Sequence, residues 1–147
     1  MQGSPQKKTK RELLDVVPHR PPMLLLQGIL AVTEEGCISQ ALVDPCAWYA
    51  QEDGSMPGWF GIELMAQTSA AYSWSRKQEL GLPPGIGYLL GTQCYQSRLA
   101  AFPAGAVLEV EAQLCFLDES GLSAFTCEIR HLGQRVAHAT LKTFEPQ

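Results

Sequence analysis

Residues 57–80 read PGWFGIELMAQTSAAYSWSRKQEL, and this stretch predicts one long helix. Pro57 suits a first helical turn, and Gly81 with the two prolines that soon follow ends the helix. From Trp59 to Ser75 the side chains are apolar, small or weakly polar on every side. A helix without a solvated stripe is normally surrounded by other structure, so the rest of the chain is expected to wrap around it.

Strand-like segments on both sides of this helix supply the wrapping. In residues 106–117 apolar and polar side chains alternate, which is typical of a half-buried strand, and short turns connect it to two further strands. A short N-terminal helix over Arg11–Val17 is also predicted. Two strands, a helix and four more strands indicate an α+β fold, an antiparallel sheet wrapped around one long central helix. The predicted strands are Met23–Val32, Cys37–Val43, Tyr88–Ser97, Ala106–Leu117, Leu122–His131 and Gln134–Phe144.

Length and composition indicate a single domain. A chain of 147 residues can bury a core without staples, so residues 1–147 are expected to form one domain, with residues 1–10 as a flexible tail. No stretch approaches the roughly 20 consecutive apolar residues of a membrane span. The polar, basic N-terminus lacks a signal-peptide pattern, and together these features predict a soluble, cytoplasmic protein.

Charge and cysteine content argue against two kinds of ligand. The net charge of −4 disfavours nucleic acid as a partner. The five cysteines are scattered without metal-ligand spacing, so we predict reduced thiols and no metal site. A sheet wrapped around one helix leaves exposed edges, which predicts a dimer or larger assembly.

Glu63 is the only charged side chain between Pro57 and Ser75. An ionised carboxylate in an apolar setting pays a large desolvation penalty, which favours its protonated form and predicts a general acid. The alternative is that Glu63 interacts with the helix macrodipole and has no catalytic role. Gln67, one turn later, is expected to hold a water or the carboxyl group unless it is an ordinary packed amide. Gly58 is either a turn residue or one whose N–H polarises a substrate carbonyl.

Two segments carry a family resemblance. Residues 56–67, MPGWFGIELMAQ, closely resemble the signature of hotdog-fold β-hydroxyacyl-acyl-carrier-protein dehydratases. Residues 17–26, VPHRPPMLLL, are similar to the Leu-Pro-His-Arg segment that opens the first strand in the fatty-acid enzymes of that family. The resemblance extends from about Leu14 to Phe144 and is greatest to the bacterial aryl polyene branch. It implies a hotdog fold.

The resemblance also implies a reaction: the loss of water from a β-hydroxyacyl thioester that acyl carrier protein presents on its phosphopantetheine, without a further cofactor. An acid protonates the departing hydroxyl, and Glu63 matches the position of that acid. The family's base is a His in a Gly-His-Phe-Pro-Gly loop just before the helix. Residues 48–55 read WYAQEDGS instead, so half of the acid and base pair is missing from this loop.

Three explanations for the missing base remain open. In the first, a His-bearing hotdog paralogue supplies the base across a dimer interface, because family active sites contain residues from both subunits. In the second, His19 or Asp53 is recruited, although a His beside Pro18 and Arg20 is more often a loop anchor and Asp53 a turn carboxylate. In the third, the chain is a non-catalytic acyl-binding subunit, retained for dimerisation and substrate grip. The predicted assembly is a hotdog homodimer or a heterodimer with a His-bearing paralogue.

A hotdog thioesterase is the competing enzyme class, in which a helix carboxylate activates water for acyl hydrolysis. The Pro-Gly-Trp-Phe approach to Glu63 resembles the dehydratases more. An apolar tunnel beside Glu63 is expected to set the acyl length. Its predicted contributors are Trp59, Phe60, Met65 and Tyr72.

Basic side chains are candidates for contact with an acidic carrier protein. Arg76, Lys77 and Arg98 are predicted either to meet such a partner or simply to solvate the surface. The histidines His131 and His138 face a predicted hairpin without nearby carboxylate or cysteine spacing, so we interpret them as strand surface residues and not as metal ligands.

Overall fold

The computed structural model describes residues 17, 19–83, 85 and 87–146. The predicted tail and all of the predicted N-terminal helix except Val17 lie outside these residues. Within the described part, the chain forms eight strands and one helix. They are β1 (Leu26–Val32), β2 (Gly36–Leu42), β3 (Met56–Pro57), α1 (Phe60–Glu79), β4 (Tyr88–Ser97), β5 (Ala101–Phe102), β6 (Val107–Leu117), β7 (Leu122–His131) and β8 (Gln134–Phe144).

Six of the strands form one antiparallel sheet in the order β1-β2-β6-β7-β8-β4. All six were predicted from the sequence, and the α+β prediction is confirmed. The first strand begins at Leu26 instead of Met23, because the N–H groups of Met23 and Leu24 both donate to the Arg20 carbonyl in a turn. That turn occupies the residues assigned to the start of the strand.

The two short strands β3 and β5 pair with each other outside the main sheet. The sequence did not predict them, because two residues are too few to show an alternating pattern. Their pairing also corrects the start of the helix. Pro57 lies opposite Ala101 in this ladder, so the helix begins at Phe60 instead of Pro57.

The helix packs into the concave face of the sheet with the side chains of Leu64, Met65, Ala71 and Tyr72 buried. Several polar side chains on α1 are buried as well, and most of them form hydrogen bonds. Thr68, for example, shares a 2.6 Å hydrogen bond with Ser39 of β2. Among the described residues, no helix is long and apolar enough to cross a membrane.

The sheet has an open edge at β4, which hydrogen-bonds to β8 on one side. Its first three residues, Tyr88, Leu89 and Leu90, are large, apolar and exposed. An exposed apolar edge strand is a surface that proteins normally cover. The sequence predicts that exposed edges are covered in a dimer or larger assembly, and the oligomeric state itself remains a prediction.

Candidate active site

Glu63 lies in the first turn of α1 and faces a cavity of about 200 Å³. Its side chain is 35% exposed. The full apolar burial expected from the sequence is therefore absent, because the cavity opens beside the carboxylate. Small side chains on one face of the helix make the cavity wall, and strands β4, β7 and β8 close the other side. The helix contributes Ala66, Ser69, Ala70, Ser73 and Trp74, and the strands contribute Tyr88, Leu89, Ser123 and Thr143.

The buried amide of Gln67 fixes the Glu63 carboxylate. Gln67 Nε2 donates to Glu63 Oε1 at 2.9 Å and to the Met23 carbonyl at 2.8 Å. Its Oε1 accepts the Leu25 N–H at 2.9 Å. Both amide hydrogens and the amide oxygen are thus engaged. One of the two alternatives for Gln67 was that its amide holds the Glu63 carboxyl group, and the hydrogen bond agrees with it. The same amide also joins α1 to the segment that leads into β1.

His19 is the second titratable side chain on this cavity. Its Nε2 lies 3.6 Å from Glu63 Oε1, which is beyond a normal hydrogen bond but close enough for the carboxylate to attract the imidazole when it is protonated. Burial lowers the pKa of His19 below 6.5, the Glu63 carboxylate opposes that shift, and Arg20 adds to it. The Nδ1 atom is buried and has no hydrogen-bond partner in the described part of the chain.

The segment that carries His19 is held by its neighbour. Arg20 Nη1 donates to the carbonyls of Val17 and His19 at 2.8 and 2.9 Å. This pair of bonds curls the backbone around the guanidinium and sets the position of the imidazole. The sequence offers His19 as a recruited base without showing its position. The packing of the Arg20 turn against α1 places it beside Glu63, 44 residues away along the chain.

Asp53 lies in an exposed turn and is not on the cavity wall. Its Oδ1 accepts hydrogen bonds from the hydroxyl and the N–H of Ser55, at 2.5 and 3.0 Å. The Ser55 hydroxyl is the main reason that the pKa of Asp53 falls below its ordinary value. These contacts are those of a turn carboxylate, the alternative to a catalytic role for Asp53.

Ser55 occupies the place where the resemblance expects the catalytic His. In the family pattern Gly-His-Phe-Pro-Gly the His follows the first glycine, and here the corresponding residues are Gly54, Ser55, Met56, Pro57 and Gly58. Ser55 is buried, donates to Asp53 and accepts from Gln51 Nε2 at 3.0 Å. This loop therefore presents no imidazole, and its hydroxyl is engaged within the turn.

The Gly58 N–H does not face the cavity as a free donor. It donates to the Ala100 carbonyl at 2.8 Å, so the expectation that it polarises a substrate carbonyl is wrong for this conformation. A Cβ atom at Gly58 would lie 2.9 Å from the carbonyl oxygens of both Leu99 and Ala100. Glycine is required here because two backbone segments approach closely, and not because a substrate does.

The four side chains predicted to line the acyl tunnel lie elsewhere. Met65 and Tyr72 are on the helix face buried against the sheet, and Trp59 is 68% exposed and stacks on Phe60. The cavity follows the small residues of the opposite helix face. Ala66, Ala70 and Ser73 follow Glu63 at successive intervals of three, four and three residues, a helical signal that is available in the sequence.

Among the residues described, no group of three or more His, Cys, Asp or Glu side chains could hold a metal ion. The arrangement of Glu63, with His19 beside it and Gln67 hydrogen-bonded to it, can support proton transfer at the carboxyl group. A carboxylic acid held in one orientation at the end of a cavity can protonate a leaving group that lies in the cavity.

Comparison with known proteins gave consistent matches. The ApeP-like family, described as ApeP dehydratase, matches residues 11–147. The chain is 31% identical over 136 residues to the 3-hydroxyacyl-[acyl-carrier-protein] dehydratase FabZ of Bartonella quintana, covering 88% of this chain and 84% of the relative.

Solved structures agree with these matches. The dehydratase heterocomplex ApeI:P from Xenorhabdus doucetiae contains a chain that superposes with a TM-score of 0.87 at 29% identity, covering 92% of this chain and 91% of that one. A mutant of the phenylacetic acid degradation protein PaaI from Thermus thermophilus has a TM-score of 0.61 at 21% identity, with coverages of 82% and 93%. The second likeness shows the fold alone, and together the two structures confirm the hotdog fold.

Proposed function

Since this chain belongs to the ApeP-like dehydratase family, we propose that it supplies Glu63 as the general acid in the dehydration of β-hydroxyacyl groups on acyl carrier protein. The observation that carries the proposal is the Gln67–Glu63 hydrogen bond at the end of the cavity. It aims one carboxylate at the space where the acyl group would lie. The phosphopantetheine of the carrier would deliver the thioester to that space.

The reaction requires two proton transfers. A base removes the proton on the carbon next to the thioester carbonyl, and the electrons of that C–H bond form the new C=C bond. The bond between the β-carbon and its hydroxyl breaks as Glu63 donates its proton to the departing oxygen, which leaves as water. Glu63 ends the cycle ionised and the base protonated, and solvent exchange restores both groups.

A partner subunit is proposed as the source of the base. The loop before α1 presents Ser55 where the family has His, and Asp53 points away into a turn. The similar structure from Xenorhabdus doucetiae is a heterocomplex of two named components, which supports an assembly of unlike subunits here as well. The exposed apolar edge at β4 offers a surface for that contact, because an added strand satisfies its free backbone groups.

His19 is the internal candidate for the base, and its distance of 3.6 Å from Glu63 favours it. Its lowered pKa keeps the imidazole neutral near pH 7, and a neutral imidazole can accept a proton. However, Nε2 is the ring nitrogen beside the Glu63 carboxylate, and the other, Nδ1, is buried. We therefore propose that His19 positions Glu63 and that the partner supplies the base.

A mass-spectrometric dehydration assay tests this assignment. The chain is incubated with β-hydroxyacyl carrier protein, first alone and then with a His-bearing hotdog subunit from the same source, with no added metal or cofactor. Loss of water in the mixture and not with either subunit alone is the expected result. Turnover by the chain alone would assign the base to His19, and release of free acid would identify a thioesterase instead.

A further inference from the structure

Several basic side chains in the described part of the chain are already paired with carboxylates. Arg76 contacts Glu79 at 2.6 Å and Lys77 contacts Glu145 at 2.8 Å. Arg130 lies on the outer face of the sheet among three glutamates, at 2.9 to 3.5 Å. A cation that is already paired with a carboxylate attracts an acidic partner only weakly. Arg76 and Lys77, two of the three carrier contacts suggested by the sequence, are therefore poorly suited to that role.

Arg98 and Arg135 differ from these cations. Neither guanidinium forms an ion pair with any carboxylate that the structure describes. The two residues are held side by side, because the Arg98 N–H donates to the Val136 carbonyl at 2.7 Å and Arg98 Nη1 reaches the Arg135 carbonyl at 3.4 Å. Both line an open groove, called here the Arg98–Arg135 groove, together with Tyr95, Gln96, Gln134 and His138.

The Arg98–Arg135 groove lies at the end of α1 that carries Glu63. Tyr95, on the groove wall, donates its hydroxyl to the Gly58 carbonyl at 2.5 Å. The Gly58 N–H in turn donates to Ala100, two residues after Arg98. The groove is thus connected by direct hydrogen bonds to the segment that enters the catalytic helix five residues before Glu63.

We propose that the Arg98–Arg135 groove is the docking surface for the acidic carrier protein. The proposal rests on the proposed function, and it adds the surface that receives the partner. Two guanidinium groups without a carboxylate partner among the described residues, in a chain of net charge −4, form a local positive site. Such a site attracts an acidic partner and orients it. The neutral side-chain amides of Gln96 and Gln134 add N–H groups that can donate hydrogen bonds to carboxylates. A carrier seated there approaches the end of the helix where its thioester must react.

Charge reversal tests the surface in the assembly that supports dehydration. The double variant Arg98→Glu/Arg135→Glu is compared with the parent on one β-hydroxyacyl group presented in two forms, on carrier protein and on free pantetheine. We expect KM for the carrier-protein substrate to rise by about tenfold or more, with kcat/KM for the pantetheine thioester held within about twofold. Added salt should raise KM of the parent toward that of the variant, because screening removes the same attraction.

The double variant Arg98→Gln/Arg135→Gln, which removes the charges without reversing them, should give a smaller rise in KM for the carrier-protein substrate. It tests the surface even if the charge-reversed variant misfolds. Lys142→Glu is the matched control, since Lys142 is also exposed on β8 but lies outside the groove. An unchanged KM for the carrier in an active parent assembly would overturn the docking surface. An equal loss on both substrates, or subunit dissociation, would overturn it too. An inactive parent would instead contradict the proposed function.

Discussion

Gln67 Nε2 donates a hydrogen bond to Glu63 Oε1 at 2.9 Å, and the same amide is bonded to the backbone on both sides of Leu24. The Glu63 carboxylate, the proposed general acid, is therefore oriented by a side chain that also fastens the helix to the segment leading into β1. The orientation of Glu63 and part of the stability of the fold therefore depend on the same buried amide, so a change at Gln67 should affect both.

Glu63→Gln should reduce dehydration by about a hundredfold or more, because the amide keeps the shape of the side chain but cannot donate a carboxylic proton. The rate is measured by mass spectrometry under the same partner and carrier conditions as the parent. Glu79→Gln is the matched control, a second glutamate of α1 that lies at the far end of the helix. A variant at position 63 that dehydrates as fast as the parent would falsify the assignment of the acid.

Gln67→Leu should lower the free energy of unfolding by about 2 to 4 kcal/mol, because the Leu25 N–H and the Met23 carbonyl lose their side-chain partner. Activity should fall as well, since the Glu63 carboxylate loses its orienting donor. Urea unfolding measures the first effect. Ser69→Ala is the comparison, because that hydroxyl bonds to its own helix at Met65 and its loss should cost about 1 kcal/mol or less. Equal costs for the two variants would contradict the bridging role.

The pH dependence of stability should contain a contribution from His19. Burial lowers the pKa of His19 below the unfolded value of 6.5, so the unfolded chain binds this proton more tightly than the folded chain. The resulting penalty is absent above that pH and grows as the pH falls through the interval between the two values. The free energy of unfolding should therefore drop between about pH 7.5 and about pH 5.5, and drop less in His19→Gln. His138→Gln controls for removal of a histidine outside the cavity, and identical slopes in all three proteins would refute the prediction.

Gly61→Ala should destabilise the fold by about 1 to 3 kcal/mol, because the new methyl group would overlap the hydroxyl of Tyr95. Tyr95→Phe removes that hydroxyl, so the cost of the alanine should be smaller in the Tyr95→Phe background. Denaturant unfolding of the four proteins completes the cycle. Gly91→Ala serves as the control, since a Cβ atom there meets nothing within 4 Å. If the two substitutions changed the free energy of unfolding additively, overlap with the Tyr95 hydroxyl could not be the cause of the destabilisation.

Leu90→Lys should weaken association with the partner subunit by about tenfold or more, because it places a charge on the apolar edge of the sheet. Leu90 is 58% exposed on β4 and lies off the cavity wall, so the substitution spares the site. Mass photometry of the mixed subunits over a dilution series measures the effect. Leu132→Lys, at an 87% exposed hairpin position, is the control. Equal association of both variants would place the subunit contact away from β4.

The sequence predicted the sheet and the helix because their signals are local. Alternation along each strand and the absence of a charged stripe on α1 are properties of neighbouring residues. The predicted bounds of these elements were wrong where tertiary contacts overrode the local signal. Pro57, for example, pairs with Ala101 instead of starting the helix. The Arg98–Arg135 groove could not be predicted from local patterns either, because tertiary packing decides which basic side chains form ion pairs with carboxylates.

By itself, the sequence determined that Glu63 and Gln67 share one helix face, since residues four apart on a helix are neighbours whatever surrounds them. Only the tertiary structure decided that His19 lies 3.6 Å from Glu63 and that the Gly58 N–H is bonded to Ala100. Such contacts join segments far apart in the chain. Their geometry is set by how the sheet packs on the helix, and no local pattern of residues encodes that packing.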